Sequence, residues 1–343
     1  MSKFSLKART MLKLIQELPQ QLGRAVALGD NCPILHLNDI DNVIIAGMGG
    51  SAMGGDIVRT LLLEEGAVPV TVWRDYQLPA PVNKKTILFL SSYSGNTEET
   101  LTAYEEGRRR GARIFVLTSG GRLAAIAQAD NLPLIVVPDG MPPRTAVGYM
   151  SVPILIVLNR LKLCRDYRAD IAETQRLLER RFEGWRRRAN GLGGLITGRL
   201  PVVYSTARLL DVAAYRWQCQ LNENAKMLCH SGQLPEQSHN EIMGYGAPHF
   251  LKRMIYTIVL VDKSSHPRTL QRLKEMAKLL SGHWAGIRLV PSEGRSPLAR
   301  LFSAVMMADL VSVAVARKRG VDPIAIPRID ELKQALARRG GVL

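Results

Sequence analysis

Thr86-Ile87-Leu88-Phe89-Leu90-Ser91-Ser92-Tyr93-Ser94-Gly95-Asn96-Thr97-Glu98-Glu99 is the stretch that decides the fold. Its first five residues carry no charge and read as a buried strand. Hydroxyl side chains then crowd around a single glycine, and helix-like sequence follows from Thr97 to Gly107. Hydroxyls and the free N–H groups of a helix start therefore converge at one strand end. Such a place suits a phosphate, because donors point outward and the helix dipole favours negative charge. A turn capped by Thr97 is the plainer reading, but a cap uses only one hydroxyl.

Working outward, the first half alternates strand and helix signals. Val43–Ala46, Val70–Trp73, Ile87–Leu90, Ile114–Leu117 and Leu134–Val137 are strand candidates, with helical stretches at Ser51–Leu63, Thr97–Arg109 and Leu123–Ala129. This order predicts an α/β fold whose parallel sheet is covered on both faces. An apolar helix is expected over Arg144–Leu163 and a charged one over Arg165–Asn190, ended by Gly191-Leu192-Gly193-Gly194. The second half repeats the scheme, with strands at Pro201–Tyr204, Met254–Val261 and Gly286–Val290 and helices at Ala207–Gln220, Leu270–Leu280 and Leu298–Lys318. A tail helix presents Ile329, Leu332 and Leu336 on one face. The expected domains are an N-terminal helical segment (1–38), a first α/β domain (39–165), a helical linker (166–195), a second α/β domain (196–318) and the tail (319–343).

Composition narrows the function classes. The chain has 343 residues, 46% of them apolar, and a net charge of +16, which suits an anionic partner. The densest basic run, Arg180, Arg181, Arg186, Arg187 and Arg188, reads as a solvated helix face rather than a nucleic-acid patch, since no recognition module accompanies it. Scattered cysteines (Cys32, Cys164, Cys219, Cys229) fit reduced thiols and a cytoplasmic protein. Leu301–Ala316, the longest apolar stretch, is interrupted by Asp309 and is expected to be too short to span a bilayer. Lys3, Lys7, Arg9 and Lys13 precede the first acid, yet Leu12, Leu14, Ile15 and Leu18 form a stripe that predicts a docked helix rather than a transit segment. His230, His239 and His249 are spaced nine and ten apart, wider than metal-ligand spacing, so neither a metal nor another cofactor is expected.

A second loop, Gly47-Met48-Gly49-Gly50-Ser51-Ala52, follows the first strand and satisfies the dinucleotide pattern G-x-G-x-x-A. By itself that pattern is weak, and a structural strand-to-helix turn is also possible. Two loops at neighbouring strand ends fit one phosphorylated ligand better than a dinucleotide, which would leave the serine cluster unused.

These two loops, with Pro142-Pro143-Arg144, Asn222-Glu223-Asn224-Ala225-Lys226-Met227 and Glu236-Gln237-Ser238-His239-Asn240-Glu241, occur in an order that resembles the bifunctional phosphoglucose/phosphomannose isomerases. The likeness runs from about Asp41 to Leu336. It implies two sugar-isomerase (SIS) domains, each a three-layer αβα sandwich. It further implies a metal-independent exchange of glucose 6-phosphate or mannose 6-phosphate with fructose 6-phosphate through an enediol. By the same resemblance Gly49, Gly50 and Ser51 would line the sugar, and Ser92, Ser94 and Thr97 would hold the phosphate. Arg144 would stabilise the intermediate and Glu223 would be the base. His239, arriving from the neighbouring subunit of a homodimer, and Lys333 would open the ring. Chemically, one carboxylate over an enediol can serve both carbons, and Asn222 and Asn224 are expected to orient it. The second-domain turn Tyr204-Ser205-Thr206-Ala207 lacks the glycines such a site would need. Competing readings are a non-catalytic sugar-phosphate sensor of the same fold and a nucleotide-dependent oxidoreductase.

Overall fold

The computed structural model describes residues 3–34 and 39–338. The ends of the expected N-terminal and tail segments thus lie partly outside the described residues. Two helices, α1 (Lys3–Gln16) and α2 (Leu18–Asp30), come first. They bury Ala8, Met11, Ile15, Leu18 and Leu22 at helical spacing; of the expected stripe Ile15 and Leu18 are buried, while Leu12 and Leu14 are half-buried.

The first sheet contains β1 (Asn42–Ala46), β2 (Val70–Trp73), β3 (Thr86–Ser91), β4 (Arg113–Thr118) and β5 (Leu134–Val136), with α3 (Gly49–Leu62), α4 (Glu98–Arg109) and α5 (Gly121–Ala129) between them. Its strands are all parallel, in the order β2-β1-β3-β4-β5. β3 is buried at all six positions because helices cover both faces. Its side chains alternate between two cores: Ile87 and Phe89 join one, Leu88 and Leu90 the other.

After α6 (Val147–Arg160) and α7 (Arg168–Ile196), the second sheet comprises β6 (Leu200–Ser205), β7 (His230–Gln233), β8 (Ile255–Val261) and β9 (Gly286–Pro291). It is also parallel, ordered β7-β6-β8-β9. α8 (Asp211–Ala225), α9 (Leu251–Met254), α10 (Pro267–Leu279), α11 (Pro297–Arg319) and the tail helix α12 (Pro327–Arg338) complete the chain. One apolar core draws side chains from α1, α2, α3, α6, α7, α8 and α11 and from the inner faces of both sheets, while each outer face has its own smaller core. The two αβα units therefore share their inner helical layer.

Three expectations change. The glycines at 191–194 do not end a helix: α7 continues to Ile196. Gly193 lies against Ala314 of α11, where an added Cβ would come within 3.0 Å of the alanine methyl. Packing on α11 outweighs the helix-breaking tendency of glycine, worth about 1 kcal/mol per residue. The apolar stretch Leu301–Ala316 was expected to be too short to span a bilayer, but the helix that carries it, α11, has 23 residues, enough by length and composition to cross a membrane. Its apolar window is nevertheless wholly buried within the fold, and Asp309 is neutralised there by Arg216 at 2.8 Å. Strand β7 was not anticipated, since His230-Ser231-Gly232-Gln233 has no apolar run. It is an edge strand whose place is set by pairing with β6.

Phe182 and Trp185, the aromatics within the arginine run of α7, are buried, while Arg187 and Arg188 are exposed. The run is a solvated face with no aromatic available for base stacking.

Candidate functional site

In an open parallel sheet ordered like the first one, the strand order reverses between β1 and β3, and ligands settle beyond the carboxyl ends there. Both sequence loops sit at that point. A Cβ on Gly47 would lie 2.5 Å from the Ser91 carbonyl, so the loops touch backbone to backbone. The Tyr93 N–H donates to Ser51 Oγ at 3.0 Å, which ties the start of α3 to the serine loop.

Within the serine loop, Ser92 Oγ and Thr97 Oγ1 are hydrogen-bonded at 2.8 Å, and Gly95 N–H donates to Ser92 Oγ at 3.1 Å. Thr97 occupies the N-cap of α4 but makes no side-chain cap bond. Its hydroxyl turns toward Ser92, so the plain capping reading does not describe this loop. Among the described residues the Glu98 and Glu99 N–H groups have no acceptor, as at a helix start left open for an anion. Ser94 is exposed beside them. Gly95 has a φ of +67°, and a Cβ there would collide with the Gly120 carbonyl, which is why glycine stands at the turn. We expect Ser94→Ala and Thr97→Val each to weaken binding of a phosphate-bearing ligand at this loop by about ten- to a hundred-fold, the scale of one hydrogen bond to a charged group. Titration calorimetry with a phosphate ester checks this, and unaltered affinity in both variants would remove the loop from any phosphate site.

The first loop leads to Arg144. Gly49 has a φ of +49°, and a Cβ on Gly50 would come within 2.9 Å of the Pro143 carbonyl. Gly50 thus lets the start of α3 rest on the short 3-10 turn Pro143–Thr145. Arg144 is 4% exposed, not a surface arginine. Its Nη1 lies 3.4 Å from Glu223 Oε2, near the end of α8. Burial lowers the Arg144 pKa from the usual arginine range, the Glu223 carboxylate opposes that shift, and Arg216 adds to it. Arg216 pairs with buried Asp309 and donates to the Arg144 carbonyl at 2.9 Å. At the end of α8, Lys226 adopts a left-handed conformation. Its Nζ donates to the carbonyls of Glu223, Asp322 and Ala325, which holds the entry to the tail against this helix.

Gly49, Gly50, Ser51, Ser92, Ser94, Thr97, Arg144 and Glu223 are thereby linked into one neighbourhood. His239 and Lys333 are not. His239 is exposed on the 3-10 turn Glu236–His239 beyond β7, and Lys333 is exposed on α12. No hydrogen bond or ion pair joins either to Arg144 or Glu223 among the described residues. The expectation that Asn222 and Asn224 orient Glu223 is also corrected. Asn222 accepts from the Cys229 N–H, and Asn224 accepts from Arg144, so neither bonds the Glu223 carboxylate. At the second sheet's equivalent edge, Thr206 is consumed by the Leu260 carbonyl and Ser265 hydroxyl, and Ser205 by Asp211, whose carboxyl burial pushes up to about 6. Those internal bonds, more than the missing glycines, turn the edge inward.

Sequence reasoning did not single out Arg216, Asp309 or Ser312 as site support. Charged or hydroxyl residues inside the apolar patterns of α8 and α11 were the available signal.

The model of the bacterial phospho-glucose isomerase C-terminal SIS domain matches residues 186–336. A bifunctional phosphoglucose/phosphomannose isomerase of Caldicellulosiruptor bescii is 36% identical over 335 residues, covering 95% of this chain and 99% of the relative. The chain belongs to that family. Another member, from Aquifex aeolicus, is 34% identical, over 88% of this chain and 92% of its own. Among solved structures, the C-terminal domain of glucosamine-fructose-6-phosphate aminotransferase from Francisella tularensis superposes with a TM-score of 0.74 at 14% identity, over 92% of this chain and 98% of that one. At that identity the match concerns the fold alone.

Proposed function

We propose that this chain is a metal-independent aldose–ketose isomerase that interconverts glucose 6-phosphate, mannose 6-phosphate or both with fructose 6-phosphate. The relatives named as isomerases over nearly the full length support sugar-phosphate isomerisation. The observation that carries the reading is the Arg144–Glu223 contact, tied to the serine loop through the start of α3. A phosphate held by Ser92, Ser94, Thr97 and the open start of α4 would leave the other end of a six-carbon chain near that pair. Glu223 would then take the proton from C2 and return it to C1, and Arg144 would stabilise the enediolate oxygen between the two steps. Rotation about the bond next to C2 would present the other face and admit the second aldose.

A coupled assay with each aldose phosphate tests the proposal. We expect turnover that survives chelator. Binding without turnover would favour the sensor reading, and a nicotinamide-dependent absorbance change the oxidoreductase. Activity lost in chelator and restored by a divalent ion would overturn metal independence.

For His239 and Lys333 we propose ring opening within a cytoplasmic homodimer whose active site is shared. The exposed His239 supports this, as do Ile329, Leu332 and Leu336, which are 40%, 61% and 50% exposed along one face of α12. Mixing inactive Glu223→Gln with inactive His239→Ala is expected to restore activity as hybrid dimers form. A mixture as inactive as its parts, with subunit exchange verified, would refute sharing.

A further inference from the structure

The Arg144 guanidinium is gripped on two of its three nitrogens. Nε donates to Asn224 Oδ1 at 2.6 Å, and Nη2 donates to the carbonyls of Pro323 and Ile324 at 2.6 and 2.8 Å. Nη1 has no hydrogen-bond acceptor among the described residues, and its charged neighbour is Glu223. Asn224 is fully buried and held in turn: its Nδ2 donates to Ser312 Oγ at 2.9 Å, and that hydroxyl donates to the Asp309 carbonyl at 2.7 Å.

The direction of this relay is forced. Arginine can only donate, so the amide oxygen must face Nε and the amide nitrogen must face Ser312. Ser312 accepts there because its own proton is committed to a backbone carbonyl inside α11. A flipped amide would set NH2 against a guanidinium donor. The relay therefore sets both the position and the rotation of the cation.

We infer that Asn224, backed by Ser312, is a positioning residue for isomerisation: it fixes the guanidinium so that Nη1 is the edge offered to the enediolate. This inference rests on the function proposed above and adds to it, since Asn224 is fully buried and bonds Arg144 and Ser312 rather than the proposed base. A fixed donor stabilises developing charge more than a mobile one because no reorganisation is needed as the charge forms.

The test uses Ser312→Ala and Asn224→Ala in the full chain, with kcat, fructose 6-phosphate affinity and the primary isotope effect on C2-deuterated glucose 6-phosphate or mannose 6-phosphate. We expect kcat to fall about three- to tenfold for Ser312→Ala and more than about tenfold for Asn224→Ala, with affinity within about threefold of the parent and a larger isotope effect. A merely structural residue would lower the yield of folded sites and leave the isotope effect unmoved. Ser312→Ala removes one oxygen atom and is the gentler change. Parental kcat and isotope effect in that folded variant overturn the inference, whatever Asn224→Ala does. If the unmodified chain showed no turnover, the functional proposal would fall as well, so the two failures are distinguishable.

Discussion

Glu223→Gln is expected to bind fructose 6-phosphate with unchanged affinity and to lose at least about a hundred-fold in isomerisation, the lower end of what a positioned base contributes. Glutamine keeps the shape of the side chain and cannot take up a proton at neutral pH. The proposed phosphate anchor lies on a different element, the loop after β3, so the substitution leaves it untouched. The Glu223 side chain is 27% exposed and makes no hydrogen bond to Asn222 or Asn224; glutamine loses the charge facing Arg144 Nη1 but keeps an amide oxygen there as a neutral partner. Exchange of the C2 proton with solvent, followed by NMR, is the direct measurement. Near-parental exchange in Glu223→Gln would remove this carboxylate from the role of base.

Arg144→Lys is expected to reduce kcat by about a hundred- to a thousand-fold, comparable to deleting one preorganised donor at a developing oxyanion. It should also destabilise the chain more than Glu223→Gln does, because it strips three hydrogen bonds from a buried guanidinium rather than removing one charge. A lysine keeps the charge but cannot present three nitrogens at once. The acceptors on Asn224, Pro323 and Ile324 would compete for a single ammonium group. Each buried acceptor left unsatisfied costs about 1–3 kcal/mol. Denaturant unfolding and kinetics on the same preparation separate the two effects. A folded, stable Arg144→Lys variant with parental kcat would contradict both the catalytic and the structural assignment.

Much of the architecture was legible because its period is local. Apolar runs such as Ile87–Leu90 and Ile114–Leu117 are strands, and amphipathic stretches such as α4 and α10 are helices. The errors occurred where distant contacts overrule local preference. Gly191–Gly194 stays helical because α7 packs on α11, and polar His230–Gln233 becomes a strand because β6 supplies its hydrogen bonds. The serine loop could be found from composition, but its internal bonding could not. Thr97 turns to Ser92 instead of capping α4, a choice between two acceptable partners that only the turn geometry settles.

By itself the sequence determined the alternation of strands and helices, and it put both candidate loops at strand ends, because side-chain periodicity and turn chemistry act over a few residues. Tertiary structure alone decided that Arg144 is buried, that it meets Glu223 from the far half of the chain, and that Asn224 serves the cation rather than the carboxylate. Burial and ion pairing depend on which surfaces close over a group, and a helical layer shared by two sheets is a property of the assembled chain.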